Sequence, residues 1–282
     1  MTGKIENQTF DQERALYALK DTDVENCVFS GPEDGESAMK ESRRINVRDC
    51  KFDLRYPLWH SHDFTLRNSV MTETCRAPLW YSSNGEISGM TINGVKCLRE
   101  CDNIRMEKCT INSPEFGWRC RCVNMDECDI TSEYVFFESR DVTAKNLRLT
   151  GKYSFQYTKN VHISDSDFDT KDSFWHAENV RIENTSIKGE YFGWYSDGLT
   201  LVNCRIVGTQ PFCYCRNLRL IDCYMDKSDL AFEYSDVDAR VRGHIISVKN
   251  PRSGRIAAQS IGEIIRLDPV YDCDCEIVTE EN

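Results

Sequence analysis

The chain has 282 residues, of which 40% are hydrophobic, and 46 acidic against 35 basic side chains give it a formal charge of −11. This balance excludes sequence-independent nucleic-acid binding, which needs clustered lysine and arginine, and it disfavours anionic membrane surfaces. The first twenty residues contain no apolar run of signal-peptide length, and no segment is apolar enough to span a membrane. We therefore expect a cytoplasmic protein with no nucleic-acid or membrane partner.

The chain begins with a segment of helical character. Residues 11–20 place Ala15, Leu16 and Leu19 at the spacing of a short amphipathic helix. We expect residues 1–21 to form an N-terminal cap built on this helix, because the first turn of a repeat structure has no neighbour on its outer side.

Residues 22–242 carry an internal repeat. Two alternating apolar residues are followed by Asn or Asp, then by a small or thiol residue, a gap and a further apolar residue, as in VHISDSDF at residues 161–168. From Met90 onward the small-residue position recurs every 19 residues, and the earlier steps are 23, 19 and 21 residues. This small-residue column comprises Cys27, Cys50, Ser69, Met90, Cys109, Cys128, Leu147, Ser166, Thr185, Cys204, Cys223 and Arg242.

The repeat predicts an all-β fold, a single right-handed parallel β-helix of about a dozen coils. Its V-x-I and C-x-F segments alternate with the period of strands, and the L-x-x-L-x-L frame of leucine-rich repeats is absent. Each coil then has two or three short strands, and its apolar side chains are buried only against the neighbouring coils. We expect the whole chain, residues 1–282, to form one domain.

Asparagine or aspartate recurs at the bend before the small-residue column. The positions are Asn26, Asp49, Asn68, Asn146, Asp165, Asn184, Asn203 and Asp222. Both residue types tolerate left-handed backbone and can bond neighbouring groups. We interpret them as a structural ladder rather than a ligand site.

The C-terminal part departs from the repeat. Residues 244–267 lose the 19-residue period and contain the turn sequence NPRSG at residues 250–254. We expect residues 243–282 to form a C-terminal cap that folds back over the last coil, with a frayed acidic end from residue 272.

Several motifs resemble one bacterial family. They are GESAMKESRRINVRDCKF (35–52), YPLW (56–59), KDSFWHAENVRIEN (171–184), GEYFGWYSDGLTLVNC (189–204), LAFEYSDVDA (230–239) and GHIISVKNPRSG (243–254). Over nearly its whole length the chain is similar to the pectin-lyase-like β-helix family called domain of unknown function 3737. The resemblance implies the right-handed parallel β-helix and a bacterial source, and it implies no activity and no catalytic residues.

A polar and aromatic column, here called the stripe, precedes the V-x-I strands. Four residues ahead of each strand's first apolar position stand His60, Tyr81, Glu100, Arg119, Glu138, Tyr157, His176, Tyr195, Tyr214 and Glu233. Charged side chains are costly to bury, so we expect the stripe to face solvent. It suits an elongated ligand such as an oligosaccharide. The alternative is an ordinary solvated face, on which Glu100, Arg119 and Glu138 neutralise one another.

The residues just before the stripe form a second column, here called the tryptophan column. Its members are Trp59, Trp80, Arg99, Trp118, Phe137, Gln156, Trp175, Trp194, Cys213 and Phe232. Small residues follow two positions later, and this large–small pairing favours a place in the core, although Arg99 and Gln156 interrupt it. If the column faces outward instead, its tryptophans would form a platform for stacking sugars.

The stripe offers one compact cluster of catalytic candidates. Glu100 and Glu138 lie two coils apart, about 9–10 Å by strand spacing, with Arg119 between them. That separation is barely compatible with an inverting glycoside hydrolase, whereas a lyase could use the arginine as its base. The ligand-binding candidates are the remaining stripe residues, His60, Tyr81, Tyr157, His176, Tyr195, Tyr214 and Glu233.

Fifteen cysteines, an odd number in a long chain, predict free thiols in a reducing compartment. The Cys-x-Cys pairs at 120–122 and 213–215 lack the spacing typical of zinc sites. The segment DCDC at residues 272–275 lies outside the repeat and is the remaining metal candidate. We expect no cofactor and no structural metal.

Three functions are compatible with these features, because fold alone does not determine function. The preferred one is a protein that binds or acts on a carbohydrate through the stripe. The second is a non-catalytic scaffold that recognises a protein or a small molecule. The third is an enzyme that acts on a cytoplasmic sugar derivative.

Overall fold

The computed structural model describes residues 3–31 and 36–280. These residues form a parallel β-solenoid of about 14 turns, which confirms the predicted fold class. No helix in the described ranges is long and apolar enough to cross a membrane. The chain divides into two compact units, residues 1–143 and 144–282. The assignment of residues 1–282 to a single domain stays a prediction.

The first unit consists of three parallel ladders. Its strands are β1 (Gly3–Glu6), β2 (Thr9–Phe10), β3 (Lys20–Glu25), β4 (Val28–Ser30), β5 (Arg43–Arg48), β6 (Lys51–Asp53), β7 (His62–Arg67), β8 (Val70–Met71), β9 (Ser83–Ser88), β10 (Thr91–Ile92), β11 (Cys97–Arg99), β12 (Asp102–Glu107), β13 (Thr110–Asn112), β14 (Glu115–Trp118), β15 (Arg121–Asp126), β16 (Asp129–Ser132) and β17 (Tyr134–Val135). One ladder joins β1, β3, β5, β7, β9, β12 and β15. A second joins β2, β4, β6, β8, β10, β13 and β16, and a third joins β11, β14 and β17.

The second unit continues the same design, and β18 (Arg140–Lys145) contains the boundary between the units. Its further strands are β19 (Arg148–Lys152), β20 (Lys159–Ser164), β21 (Asp167–Lys171), β22 (Glu178–Glu183), β23 (Ser186–Lys188), β24 (Asp197–Val202), β25 (Arg205–Thr209), β26 (Leu218–Asp229), β27 (Asp236–Lys249), β28 (Ser253–Ile265) and β29 (Glu276–Thr279). One ladder runs from β20 through β22 and β24, and another from β19 through β21, β23 and β25. Both end on the 12-residue β26, which β27, β28 and β29 then follow in parallel.

The strand registers confirm the repeat. Val161 pairs with Val180, and the small-residue column is buried except at Arg242. The Cys50 amide donates to Ser69 Oγ, 19 residues further on, over 2.9 Å. A side chain of one coil thus satisfies a buried amide of the coil before it, which explains why serine, threonine and cysteine recur there.

The asparagine ladder is also confirmed as a structural feature. Asp165, Asn184 and Asn203 have φ between 50° and 52°. The Asn203 side-chain amide donates to the Asn184 side-chain carbonyl over 2.9 Å, and Asn184 donates in turn to Asp165 over 3.2 Å. The bend residues therefore bond to one another from coil to coil.

The predicted N-terminal helix is wrong. Residues 13–18 form turns, in which Arg14 and Ala18 have left-handed backbone, each with φ of 55°. The amide of Leu16 donates to the carbonyl of Ala38 over 2.8 Å rather than to a residue of its own segment. The amides of Arg14, Leu16 and Ala18 all donate to the next coil, and this pairing outweighs the helical spacing of the apolar residues.

The predicted fold-back of the C-terminal part needs a similar correction. Residues 244–267 do lose the 19-residue period, but β28 pairs with β27 in parallel, and Ser253 bonds to Asp236, 17 residues earlier. Residues 276–279, expected to be frayed, form β29 against β28. The chain adds shorter coils because they keep its backbone groups paired in one ladder. Residues 281–282 lie outside the described residues.

Candidate functional site

The stripe lies on a corner of each coil that left-handed residues create. In the coil containing Trp175, both neighbours of this residue, Phe174 and His176, have positive φ, at 58° and 54°. Phe174 is fully buried, Trp175 is half-buried and His176 is exposed. The same pair of conformations recurs one coil earlier at Phe155 and Tyr157. The corner therefore directs most of the stripe to solvent, with His60, Tyr214 and Glu233 half-buried, and it places the tryptophans of the preceding column at the rim of the core.

Four stripe residues of the second unit form a continuous stack of rings, here called the aromatic stack. The ring centroids of Tyr157 and His176 are 4.9 Å apart, those of His176 and Tyr195 are 5.0 Å apart, and those of Tyr195 and Tyr214 are 4.7 Å apart. Adjacent planes differ by 9° or less. Tyr157 is 47% exposed and Tyr195 is 44% exposed, so the stack is accessible although its ring faces cover one another.

The expectation that the tryptophan column lies in the core is wrong for its five tryptophans, whereas Cys213 and Phe232 of the same column are fully buried. All five are half-buried at the rim, next to the stripe. Trp175 and Trp194 stack on each other at 5.3 Å and 7°, and their indole N–H groups donate to the carbonyls of Tyr191 and Gln210, each over 2.7 Å. The alternative, in which outward tryptophans form a platform for stacking sugars, does not hold for Trp175 and Trp194 either. These two rings face each other, so they do not form a platform of exposed ring faces.

The two residues that interrupt the tryptophan column differ in what they do. In the first unit the Arg99 guanidinium lies between two indole rings, 4.5 Å from the Trp80 centroid and 4.7 Å from the Trp118 centroid. It also donates to Glu115 over 2.8 Å. Arg99 therefore extends the ring column as a cation between π faces. Gln156, in the second unit, donates to the carbonyl of Asp172 over 2.7 Å, the same kind of bond that the indoles make.

The stripe of the first unit begins with His60 and Tyr81. His60 Nδ1 lies 2.9 Å from the carboxylate of Glu41, and Tyr81 packs edge-on against Trp80. Trp80 in turn packs against Trp59 at 5.3 Å with a tilt of 52°. These aromatic contacts are local, and they do not form a stack of parallel rings like that of the second unit.

The three catalytic candidates are exposed side chains on successive coils. Arg119 Nε lies 2.7 Å from Glu138, and the negative charges of Glu138 and Glu100 raise the pKa of the arginine. A guanidinium held in its charged form by two carboxylates is a poor base. The geometry favours the alternative of a neutralising charge ladder for Glu100, Arg119 and Glu138.

The last stripe residue, Glu233, is paired within the protein. Its carboxylate lies 2.8 Å from Lys249 Nζ and is only 13% exposed. This contact raises the pKa of Lys249. Burial, helped by the charge of Glu233, raises the pKa of Tyr214 on the preceding coil, so this tyrosine keeps its hydroxyl proton. Glu233 therefore follows the last ring of the aromatic stack, and its charge is neutralised by Lys249.

A third column, four residues before the stripe, escaped the sequence analysis and is here called the corner column. In the second unit it holds Tyr153, Asp172, Tyr191 and Gln210, all with φ between 48° and 57°. The Tyr191 ring packs edge-on against Trp194 at 5.4 Å. Asp172 differs from its aromatic neighbours, because it is 8% exposed and burial raises the pKa of its carboxyl group. The sequence does contain a signal for the corner column, because tyrosine recurs there at 19-residue spacing and aspartate interrupts the recurrence.

The cysteines offer no assembled ligand set. All fifteen are free thiols, and burial raises the pKa of Cys215 to about 11. Within residues 3–31 and 36–280, no group of three or more histidine, cysteine or acidic side chains is placed to hold a metal ion. In the DCDC segment, Cys273 Sγ contacts the Asn250 carbonyl, and the Arg266 guanidinium donates to the carbonyls of Cys273 and Cys275.

A shallow depression of about 450 Å³ lies on a different surface, in the first unit. Arg67, Glu86, Arg105 and Glu107 line it from strands β7, β9 and β12. Its walls contain no aromatic side chain, and Arg67 and Glu86 pair with each other at 3.8 Å. The charged depression and the aromatic surface are therefore separate candidate sites.

The described residues define a parallel β-solenoid with an aromatic corner in its second unit. A model of the family described as protein of unknown function (DUF3737) matches residues 3–278, and the chain belongs to this family. No curated protein matches the sequence.

Several solved structures are similar to the chain. The A-module of the mannuronan C-5 epimerase AlgE6 of Azotobacter vinelandii is 9% identical, with a TM-score of 0.40 over 98% of this chain and 87% of that chain. The tailspike protein of the E. coli bacteriophage HK620 is 8% identical, with a TM-score of 0.45 over 100% of this chain and 72% of that chain. The catalytic domain of a GH87 α-1,3-glucanase is 10% identical, with a TM-score of 0.33 over 99% and 64%. No residue role is transferred from these proteins.

Proposed function

We propose that this protein binds an extended, uncharged oligosaccharide along the aromatic stack of its second unit. The observation that carries the proposal is the uninterrupted row of four stacked rings from Tyr157 to Tyr214, of which the first three are exposed and Tyr214 is half-buried, with centroids 4.7–5.0 Å apart.

The accessible part of each ring in the stack is its polar edge. Because every ring lies face to face with the next one, a ligand meets three phenol hydroxyls and one imidazole rather than π faces. A tyrosine hydroxyl both donates and accepts hydrogen bonds. The stack thus repeats a hydrogen-bonding group at each coil, and a glycan repeats hydroxyl groups at each sugar unit.

The aromatic stack is ordered before a ligand arrives. Each ring is held between its neighbours, and beside the stack Trp175 and Trp194 are fixed by their own stacking and by bonds to backbone carbonyls. Immobilising a flexible side chain on binding costs about 0.5–1.5 kcal/mol. A preformed row avoids most of this cost, which favours binding to a ligand as hydrophilic as a sugar.

Charges near the stack favour an uncharged ligand. Glu233 pairs with Lys249 at 2.8 Å, and Lys171 pairs with Glu190 at 3.4 Å. The formal charge of −11 further opposes the approach of polyanionic glycans.

Calorimetric titration of the full chain with cellohexaose, laminarihexaose, maltohexaose and mannohexaose tests the proposal. We expect at least one of these hexasaccharides to bind, and Tyr195→Ala to weaken its binding about tenfold. A lost hydrogen bond and a disordered neighbouring ring account for about 1.4 kcal/mol, which corresponds to this factor.

Tyr224→Ala is the matched control. Tyr224 is 41% exposed, close to the 44% of Tyr195, but it lies in β26 opposite Arg205 and outside the stack. Its removal should leave binding unchanged. If no hexasaccharide binds, or if both variants lose affinity equally, the proposal is contradicted, and the alternative of a protein-interaction scaffold gains support.

A further inference from the structure

Two polar residues that bond to each other, Gln156 and Asp172, interrupt the aromatic surface of the second unit. Gln156 stands in the tryptophan column, where the next two coils carry Trp175 and Trp194. Its side-chain amide reproduces their bond to the neighbouring coil by donating to the Asp172 carbonyl over 2.7 Å. The amide keeps the architecture of the corner while it removes the bulk of an indole ring.

Asp172 interrupts the corner column one coil further on. Tyr153 precedes it and Tyr191 follows it at the same position of the adjacent coils. Rings at successive positions of the neighbouring stack lie 4.7–5.0 Å apart. Two coils span about 9–10 Å, so replacing one tyrosine by aspartate leaves room for about one six-membered ring between the flanking residues.

Asp172 is a buried residue, but its carboxylate oxygens are not fully enclosed by the protein. The residue is 8% exposed, its amide donates to the Glu190 carbonyl, and its own carbonyl accepts from Gln156. Across the described part of the chain its carboxylate accepts no hydrogen bond and joins no ion pair, and the nearby Lys171 ammonium lies instead 3.4 Å from the Glu190 carboxylate. Buried carboxylates are almost always paired, because desolvation without compensation is costly. The charges of Lys171 and Lys152 offset part of this cost, and hydroxyl groups of a ligand would supply the hydrogen bonds that the carboxylate lacks.

We infer that Asp172 and Gln156 form a subsite for one pyranose ring of the oligosaccharide, with the Asp172 carboxylate accepting hydrogen bonds from two ring hydroxyls. The sugar ring takes the place of the missing aromatic ring between Tyr153 and Tyr191. This inference rests on the proposed carbohydrate binding and names where its specificity arises.

The charges around the gap select a neutral sugar over a cation. Lys152 Nζ lies 4.3 Å from the Tyr153 ring centroid, and Lys171 Nζ lies 5.9 Å from the Tyr191 centroid. Two ammonium groups thus already lie near the gap, and their charges act against burial by lowering the pKa of the Asp172 carboxyl group, so a further cation is not favoured there. A sugar hydroxyl is neutral and needs only the Asp172 carboxylate as its hydrogen-bond acceptor.

Calorimetry with the same four hexasaccharides tests the subsite through Asp172→Asn, which keeps the shape of the side chain and removes its charge. We expect at least a tenfold loss of affinity for the hexasaccharide that binds best. Asp167→Asn is the matched control, since Asp167 is an exposed aspartate of β21 on the same coil, and it should bind like the unmodified protein. Asp172→Ser is a second variant, and thermal melting of each sample checks that it is folded.

The outcomes separate this inference from the proposed function. If Asp172→Asn and Asp172→Ser bind as tightly as the unmodified protein while Tyr195→Ala still loses affinity, the subsite is overturned and carbohydrate binding stands. If none of the four hexasaccharides binds the unmodified protein, both are overturned. A loss confined to the Asp172 and Tyr195 variants supports both.

Discussion

Asp172 shows what one residue can change in a repeating surface. The tyrosines before and after it in the corner column are half-buried, whereas Asp172 is buried and its carboxyl group makes no hydrogen bond or ion pair within the described residues. Such a group lowers the stability of the ligand-free protein, and residues of this kind are expected where binding rather than folding determines the side chain.

The stability cost of Asp172 should depend on pH. Burial raises the pKa of its carboxyl in the folded chain above the ordinary 3.8. The folded state therefore holds this proton more tightly than the unfolded state, so the cost is absent below the ordinary pKa and is complete once the pH exceeds the raised pKa. We expect Asp172→Asn to unfold at a higher urea concentration than the unmodified protein at pH 7, and the difference to vanish as the pH falls below about 4. Asp167→Asn should show no such pH-dependent gain, and an Asp172→Asn variant less stable at pH 7 would contradict the role given to desolvation.

Individual residues also show which features of the site could be predicted from the sequence alone. The solvent exposure of most of the stripe followed from its charged members, because charge is costly to bury, but Glu233 is largely buried in an ion pair with Lys249. The stacking of Tyr157, His176 and Tyr195 did not follow, since ring orientation depends on the backbone conformation of each corner. Asp172 was missed because an aspartate at a bend resembles any other turn residue. Its burial comes from side chains on other coils.

Within each coil, the backbone conformation at the corner determines which column of side chains enters the core. Alternation of side chains predicts facing only along a regular strand. Two left-handed residues within three positions, Phe174 and His176, break that alternation, so Phe174 fills the core and Trp175 lies at the rim. The expectation that the tryptophans lie in the core failed for this reason.

Removal of a core ring should lower the stability of the protein strongly. Phe174 is fully buried, with ring centroids 4.8 Å from Phe155 and 5.3 Å from Phe192. We expect Phe174→Ala to lower the free energy of unfolding by about 3–5 kcal/mol, because it removes a buried ring and leaves a cavity. Urea denaturation measures this, with Tyr224→Ala as a surface control that changes stability by less than about 0.5 kcal/mol. A loss below about 1 kcal/mol for Phe174→Ala would show that the stacked rings are not the core of the coil.

The ends of the repeat show where local patterns mislead. Residues 11–20 have helical spacing and residues 244–267 lack the 19-residue period, yet both join the parallel ladders. In both places the pairing of backbone groups with an adjacent coil outweighs side-chain periodicity.

For the molecule as a whole, the register of the repeat was the decisive information in the sequence. A fixed period of 19 residues places identical columns on successive coils, and this predicts both the fold and the neighbours of each side chain. The function was harder to predict than the fold. The residues of the aromatic surface are 19 positions apart in the sequence and come together only when the coils stack. Membership of the DUF3737 family agrees with the fold and assigns no activity.

The most direct test of carbohydrate binding is a crystal structure of the full chain soaked with the best-binding of the four hexasaccharides. We predict sugar density along the edges of Tyr157, His176, Tyr195 and Tyr214. Density in the charged depression beside Arg67 instead, or no sugar density at all, would contradict the account.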